Sequence, residues 1–192
     1  REAKLEALQL AVSGAAVPVV EEEVVITEWA KPSGSVNETG DFVYNTGNPA
    51  AIKLPTGETL NVGEKSQIAH LAKQIGKNDQ TLLEKGKWFT IENLYFETAS
   101  EKLKAGAEKE LDNIAKLLNA YPKLKLKLGG YTDNTGNEQS NKALSSLRAQ
   151  SAKLYLMNLG IPADRVEAEG FGSQYPVCAA NGTDACNAQN RR

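Results

Sequence analysis

The sequence predicts an α/β protein, an α+β sandwich in which two helices pack on one face of a mixed sheet. Two observations carry this prediction. Apolar residues recur at helical spacing in two long segments, and lysines alternate strictly with leucines between them in "KLKLKL". We expect the order β-α-β-α-β from residue 88 onward. The boundaries we predict are an irregular segment or linker at 1–49, a small hairpin–helix module at 50–87, and the main domain at 88–192.

The main domain is predicted to begin with a strand, because "KWFTIENLYFETAS" is rich in aromatic and apolar residues. Thr98 or Ser100 then caps the first helix. In "KLKLKL" the leucines form one face of a strand and the lysines form a solvated face. The second helix spans 139–159, with Leu144 and Leu147 placed to face the sheet. The segment "RVEAEGFG" then forms a short strand.

The first 87 residues give weaker signals. "REAKLEALQL" is compatible with a helical turn or two, "VVEEEVVITEW" with a strand, and "KPSGSVNETGDFVYNTGNP" with a loop. Apolar alternation on both sides of "PTGE" predicts a β-hairpin, and "EKSQIAHLAKQIG" predicts an amphipathic helix that stops at Gly76. For residues 1–87 as a whole we expect a spacer or a self-association unit.

Length and composition exclude several classes of protein. The 192 residues are 41% hydrophobic, which is enough for a core, and the net charge is −2 with 22 basic and 24 acidic residues. Because the lysines are dispersed and aromatic residues are few, we expect no nucleic-acid partner. No apolar run reaches the roughly 18 to 20 residues that a membrane-spanning helix needs. The chain begins at Arg1, so we expect a mature or excised fragment with any membrane anchor upstream.

The two cysteines favour a disulfide over a metal site. Cys178 and Cys186 are separated by seven residues, which does not match the paired C-x2-C ligands of structural zinc. A small disulfide loop fits better and implies an oxidising compartment, while two free thiols remain open on spacing alone. His70 is the one histidine, and no phosphate-binding glycine loop is present. We therefore expect no metal, no cofactor and no enzymatic activity.

The segment "GGYTDNTGNEQSNKALSSLRAQ" carries the candidate site. Asn141, Ser145 and Arg148 lie at i, i+4 and i+7 and so form one helical stripe that can look toward Asp133 in the preceding loop. A carboxylate and a guanidinium that flank one cleft complement a zwitterionic amino-acid head. An internal Asp133–Arg148 salt bridge, with no ligand at all, explains the same spacing and stays open at this point.

Several spaced motifs appear in the same order as in a known family. The segments "LYFETAS", "TDNTG", "NKALSSLRA", "GFGSQYP" and "NRR" resemble the OmpA-like peptidoglycan-binding domain, over about residues 88 to 192. That family includes the C-terminal domain of outer-membrane protein A, the lipoprotein Pal and the stator protein MotB. Tyr131 departs from the pattern, since relatives often have histidine there. The family also continues into a last strand beyond the position of Arg192, so the domain is expected to lack that strand here.

The resemblance implies a specific ligand and a set of residues that bind it. Members of the family hold the diaminopimelate of the peptidoglycan stem peptide without covalent chemistry. The resemblance places Asp133 and Arg148 on its charged groups and leaves the terminal "NRR" with a structural role. The other residues expected to line the pocket are Phe96, Thr98, Ala99, Thr132, Asn141 and Ser145.

The function expected from this resemblance is attachment to the cell wall. The domain would tether the outer membrane, or an envelope complex, to peptidoglycan in the periplasm of a Gram-negative-type envelope, with the membrane reached through an upstream anchor that is not in this chain. The alternative is an envelope scaffold that binds proteins and keeps only a vestigial pocket.

Overall fold

The computed structural model describes residues 8–12, 33–76, 88–179 and 182–192, the first of these segments by its backbone alone. The expected strand in "VVEEEVVITEW" lies outside these residues. The strands are β1 (Leu8–Val12), β2 (Gly34–Val36), β3 (Phe42–Tyr44), β4 (Pro49–Lys53), β5 (Thr59–Gly63), β6 (Leu124–Tyr131) and β7 (Val166–Gly172). The helices are α1 (Gln67–Gly76), α2 (Glu108–Ala120), α3 (Glu138–Asn158) and α4 (Asp184–Asn190).

The main sheet has the order β1-β6-β7 and is mixed. Strand β1 runs antiparallel to β6, with Leu8 opposite Leu128, and β7 runs parallel to β6. The three alternating leucines of β6 are buried with apolar residues of α2 and α3 in one hydrophobic cluster. The two helices thus cover one face of the sheet, and the predicted α/β class is confirmed.

One strand of the predicted order is not formed. Residues 88–96 make isolated bridges instead of a strand, and the edge of β6 pairs with β1 from the start of the chain. Asn93 has a φ of 61°, which interrupts any extended run at that point. The expectation of helical turns in "REAKLEALQL" is likewise wrong for its last three residues, which belong to β1.

Helix α2 begins later than the sequence suggested. Its N-cap is Ala107, which makes no side-chain capping bond, so neither Thr98 nor Ser100 caps it. The intervening residues form a tight turn, in which the Ser100 amide donates to the Glu97 carbonyl, and a bridge between Phe96 and Leu103. The Ser100 and Glu97 carbonyl oxygens of this turn accept hydrogen bonds from Arg148.

Helix α3 spans nearly the predicted residues but presents a different face to the sheet. A Cβ on Gly130 would lie 2.2 Å from the Ser145 carbonyl oxygen, and one on Gly170 would lie 2.2 Å from the Ser146 amide nitrogen. The backbone of α3 therefore packs directly on β6 and β7, where Gly130 and Gly170 have no side chain to keep it away. Because only small residues fit there, Leu147 points outward and is 52% exposed, so its predicted packing on the sheet is wrong.

The region before residue 77 contains more structure than predicted. The hairpin of "AIKLPTGETLNV" is confirmed as β4–β5, with Ile52 opposite Leu60, and α1 is confirmed up to Gly76. The segment taken as a loop instead forms the β2–β3 hairpin, with Ser35 opposite Val43. Buried side chains of β5 and α1 belong to the same hydrophobic cluster as α2 and β6.

The cysteine loop closes as predicted. Cys178 and Cys186 form a disulfide, and α4 starts within this loop at the N-cap Thr183. Asn190 is buried and holds the loop, since its Oδ1 accepts from the amides of Val177 and Cys178. Among the helices of the described segments, none is long and apolar enough to cross a membrane.

Candidate functional site

A cavity of about 470 Å³ lies where the end of β6, the start of α3 and the tip of the β2–β3 hairpin meet. Its size is within the range of about 300 to 1,000 Å³ that is common for small-molecule sites. The charged residues lining it from the described segments are Asp41, Lys104, Asp133, Arg148, Arg191 and Arg192. Cations therefore exceed carboxylates in this wall, which favours a ligand with negative charge.

Asp133 lies in this wall at the end of β6, held by the loop that follows it. Its Oδ1 accepts a hydrogen bond from the Thr135 amide, and its Oδ2 lies 2.6 Å from Nη1 of Arg191. Partial burial raises the pKa of Asp133, but the Arg191 and Thr135 bonds outweigh it, so the pKa is lowered overall. The carboxylate is therefore ionised at neutral pH, as an anchor for an ammonium group would have to be.

Arg148 lies across the cavity from this loop, and its two hydrogen bonds go to backbone carbonyls. Its Nε donates to the Ser100 carbonyl at 2.9 Å and its Nη2 to the Glu97 carbonyl at 3.2 Å. The guanidinium also lies 5.3 Å from the centre of the Phe96 ring. No carboxylate of the described residues is within salt-bridge distance of it, so the Asp133–Arg148 bridge that the spacing left open is not formed.

The surroundings of Arg148 disfavour its positive charge. Burial lowers its pKa, the positive charge of Arg191 lowers it further, and Asp133 offsets part of that effect. No described residue accepts a hydrogen bond from its Nη1. A half-buried guanidinium with two bonds to neutral carbonyls and an unused Nη1 is well placed to receive a carboxylate.

Most of the other predicted residues line the same cavity. Phe96, Thr98 and Ala99 form the turn beneath Arg148, and Ala99 has a φ of 52°, the left-handed region that helps the turn aim its carbonyls at the guanidinium. Asn141 donates from Nδ2 to the carbonyls of Asp133 and Thr135, at 3.3 and 3.0 Å, and so fixes the loop.

Thr132 adds an unsatisfied group to the wall. It is 6% exposed, and no described residue forms a hydrogen bond with its side-chain oxygen. A buried hydroxyl without a partner costs about 1 to 3 kcal/mol. Because Thr132 lines the cavity beside Asp133, a polar ligand could satisfy it.

Ser145 does not line the cavity, contrary to the expectation from the helical stripe. It is 0% exposed and lies where α3 contacts the glycines of the sheet. Its hydroxyl donates to the Lys142 carbonyl and accepts from the Gly172 amide, both at 2.9 Å. Its role is to join α3 to β7, and we leave it out of the ligand set.

No ligand role was predicted for the terminal arginines Arg191 and Arg192, yet both line the cavity. Arg191 bridges Asp133 to the hairpin, since its Nη2 donates to the Gly40 carbonyl at 2.7 Å. Arg192 lies 4.0 Å from the centre of the Tyr131 ring, and its carbonyl accepts from the Tyr131 amide. Their predicted structural role is present in these contacts, and Arg191 in addition sets the charge of Asp133.

The β2–β3 hairpin was also missed, and it forms one wall of the cavity. Its Asn37 Oδ1 accepts from the amides of Thr39 and Asp41, and Gly40 turns the chain with a φ of 80°. The pattern Asn-x-x-Gly between "SV" and "FVY" was the available turn signal. Which surface this hairpin covers is set by contacts distant in sequence, which local patterns do not contain.

Among the described residues, no group of three or more His, Cys, Asp or Glu side chains is arranged to hold a metal ion. His70 is exposed on α1 and does not line the cavity.

Comparison with known proteins places this site in a family. A profile of the OmpA family matches residues 95–191, just over half of the chain. The chain is 38% identical over 100 residues to the Probable lipoprotein YiaD of Escherichia coli (strain K12), a match that covers 52% of this chain and 45% of that protein. It is 28% identical over 151 residues to the peptidoglycan-associated lipoprotein of Agrobacterium fabrum (strain C58 / ATCC 33970), covering 76% of this chain and 85% of that one.

A solved structure is similar over about half of the chain. The crystal structure of the peptidoglycan-associated lipoprotein from Burkholderia pseudomallei aligns with a TM-score of 0.48 and 30% identity, covering 51% of this chain and 82% of that one. The matched residues include the end of β6, helix α3 and Arg191, that is, three walls of the cavity, whereas the β2–β3 hairpin lies outside the matched range. On the strength of the profile match over half its length, the chain belongs to the OmpA family.

Proposed function

We propose that this protein binds peptidoglycan non-covalently and that the cavity takes the diaminopimelate of the stem peptide. The observation that carries the proposal is the state of Arg148, a half-buried guanidinium that faces Asp133 in one cavity without a carboxylate partner among the described residues. In the proposed complex its Nη1 binds a carboxylate of the ligand. Asp133 accepts from the neighbouring ammonium group.

Other groups of the cavity support an amino-acid ligand. The unsatisfied Thr132 hydroxyl can bond either polar end of it. The Phe96 ring and the turn at Ala99 give the cavity apolar surface for a short carbon chain. No bond needs to be made or broken for this recognition, so the proposed activity is binding and not catalysis.

The names of the relatives support the cellular role that we propose. The relative from Agrobacterium fabrum, which aligns over 76% of this chain, is called a peptidoglycan-associated lipoprotein. We propose that this chain likewise attaches an outer membrane, or a complex bound to it, to the cell wall in the periplasm. The disulfide between Cys178 and Cys186 is consistent with that oxidising compartment.

Co-sedimentation with purified sacculi tests the proposal. The wild-type chain should pellet with sacculi, and Asp133→Ala and Arg148→Ala should each lose this binding while unfolding at nearly the wild-type temperature. Lys53→Gln and Glu58→Gln are charge controls, because both residues are exposed on the β4–β5 hairpin and do not line the cavity. They should bind as the wild type does.

Two results would contradict the proposal. Binding by Arg148→Ala at wild-type strength would show that the cavity is not the site. Release of soluble muropeptides from the sacculi by the wild-type chain would show an enzyme.

A further inference from the structure

The disulfide and α4 form a small unit that follows β7 in the chain. The disulfide joins Cys178 to Cys186, which lies in the first turn of α4. At the other end of the helix, the Arg191 amide donates to the Asn187 carbonyl at 3.1 Å, so the Arg191 backbone caps α4. Contacts that hold α4 in place therefore also place the backbone of Arg191.

Asn190 ties the end of α4 to the first of the two cysteines. Its Oδ1 accepts from the amides of Val177 and Cys178, at 2.9 and 3.0 Å, and its Nδ2 donates to the Cys178 carbonyl at 3.0 Å. The residue is 6% exposed, so these three bonds are shielded from water. Cys178 is thus attached to α4 twice, through the disulfide near its start and through Asn190 at its end. We call this arrangement of the disulfide, α4 and Asn190 the C-terminal clamp.

Arg191 directly follows the C-terminal clamp and reaches into the cavity. Its Nη1 lies 2.6 Å from Asp133 Oδ2, and its Nη2 donates to the Gly40 carbonyl at 2.7 Å. The side chain is 37% exposed and has several rotatable bonds, so packing does not fix the guanidinium. Its position depends on where its backbone is held, between the clamp on one side and the bond from the Tyr131 amide to the Arg192 carbonyl on the other.

The C-terminal clamp lies outside the main hydrophobic cluster. Among the described residues, the last buried member of the cluster that joins α2 and α3 to the sheet is Val166, and Ala168 packs against it. The buried Cys186 and Ala188 of α4 are not part of this cluster. Loss of the clamp should therefore leave the sheet, α2 and α3 folded.

We propose that the C-terminal clamp positions Arg191, and through it Asp133, so that ligand binding in the cavity depends on the disulfide. This rests on the proposed function, because it assumes that Asp133 binds the ammonium group of the ligand. An anchor held in one orientation loses less entropy on binding, and Arg191 holds one of the two carboxylate oxygens. Asn190 is a positioning residue, since it acts through Arg191. The domain would reach full affinity only where its two cysteines are oxidised.

Two variants remove the C-terminal clamp in independent ways. Cys178→Ala combined with Cys186→Ala removes the covalent bond, and Asn190→Ala removes the three hydrogen bonds. NMR titration with meso-diaminopimelate gives the affinity of each, and NMR of the carboxyl carbon gives the pKa of Asp133. Each variant should bind about fivefold more weakly at neutral pH, the contribution of one partly exposed ion pair.

The pH profile separates positioning from a general loss of structure. Burial raises the pKa of Asp133, and the bond from Arg191 is the main contact that lowers it. Without the clamp this pKa should rise, so on acidification the variants should lose binding at a higher pH than the wild type does. Neither variant changes the other charged residues that line a cavity together with Asp133, which are Glu38, Asp41, Lys104, Arg148, Asp184 and Arg192.

A double-mutant cycle tests whether the effect passes through Arg191. Arg191→Ala should weaken binding by a similar factor, and adding Asn190→Ala to it should weaken binding little further. Losses of affinity that add in full would overturn the inference, because the clamp would then act by another route. Gln189→Ala is the matched control, since Gln189 lies beside Asn190 on α4 and does not line the cavity. It should change neither the affinity nor the pKa of Asp133.

Three further results would overturn the inference. Unchanged affinity and an unchanged Asp133 pKa in both clamp variants would show that other contacts fix Arg191. Tighter binding would show that Arg191 competes with the ligand for Asp133. Loss of the native amide NMR signals of β6 and α3 in both variants would show that the clamp is part of the core.

These outcomes separate the inference from the proposed function. If Arg148→Ala abolishes binding of meso-diaminopimelate but both clamp variants bind as the wild type does, the proposed function stands and the role of the clamp is wrong. If the wild type does not bind meso-diaminopimelate, both are wrong.

Discussion

Two walls of the cavity are built in opposite ways. On the α3 side, Gly130 and Gly170 let the helix backbone rest on the sheet, and the contact is steric. On the hairpin side, Gly40, Asp41 and the Phe42 carbonyl are held by single polar contacts from the rest of the chain. The same cavity therefore has one wall fixed by packing and one fixed by hydrogen bonds and ion pairs.

The packed wall is tied to the stability of the fold, whereas the hairpin wall is not. A steric contact admits no added atom, so changes on the α3 side act on folding. Exposed or partly exposed ion pairs contribute up to about 1 kcal/mol each and weaken with salt. Changes on the hairpin side should thus alter recognition with little loss of stability.

The largest expected effect comes from the packed wall. Gly130→Ala should lower the free energy of unfolding by about 4 kcal/mol, because the new Cβ would meet the Ser145 backbone and the helix would have to move. Urea denaturation measures this. Gly76→Ala is the matched control, since its Cβ would lie an ordinary 3.6 Å from the Tyr121 hydroxyl oxygen. Equal stability of the two variants would contradict the steric account of α3.

A smaller effect on stability is expected at Glu92, whose segment packs against the start of α1. Glu92 is 6% exposed, and its carboxylate accepts from the Gln67 amide at 2.8 Å. Its pKa is raised to about 7: burial is the largest cause, the bond from the Gln67 amide offsets part of the rise, and the negative charge of Glu110 adds to it. Because the folded-state pKa lies above the unfolded value, the wild type should lose stability as the pH rises from about 4.5 through 7.

The variant Glu92→Gln tests the predicted direction of this pH dependence of stability. The variant should match the wild type near pH 4.5 and exceed it above pH 7 by on the order of 3 kcal/mol, since each pKa unit corresponds to about 1.4 kcal/mol. Thermal or urea unfolding across this pH range gives the answer. A stability difference that stays constant with pH would contradict it.

The smallest effect on stability is expected at Arg191, which contacts both Asp133 and the Gly40 carbonyl of the hairpin. Arg191→Ala removes the main contact that lowers the pKa of Asp133, so this pKa should rise, as followed by NMR titration of the carboxyl carbon. The stability that the depressed pKa contributes is present above about pH 3.8 and is lost as the pH falls, so the variant should lose up to about 1 kcal/mol at neutral pH. An unchanged Asp133 pKa would show that Arg191 does not control it.

Local patterns predicted the regular elements well and the contacts between them poorly. The alternation in "KLKLKL" marks a strand wherever it lies, and β6 is confirmed at Leu124–Tyr131. The face of α3 was misjudged at Leu147, because a large leucine at helical spacing looked like core. The glycines of the facing strands, which make Ser145 the buried residue, are distant in sequence.

The same holds for the candidate site: residues close together in sequence were predicted, and those brought in from distant segments were not. Asp133, Arg148 and Asn141 line one cavity, as the sequence predicted, because a loop and the helix after it fix their relation. Asp41 was missed, since its place in the cavity depends on how a hairpin far upstream packs. The partner of Asp133 was missed for the same reason, because Arg191 lies 58 residues away along the chain.

The most direct measurement is displacement of the sacculus-bound wild-type chain by free meso-diaminopimelate. If the cavity takes that residue of the stem peptide, excess meso-diaminopimelate should release the protein into the supernatant, and the same concentration of L-lysine should release far less. Protein that stays bound at saturating meso-diaminopimelate, or that both compounds release equally, would show that the cavity does not take this residue of the stem peptide.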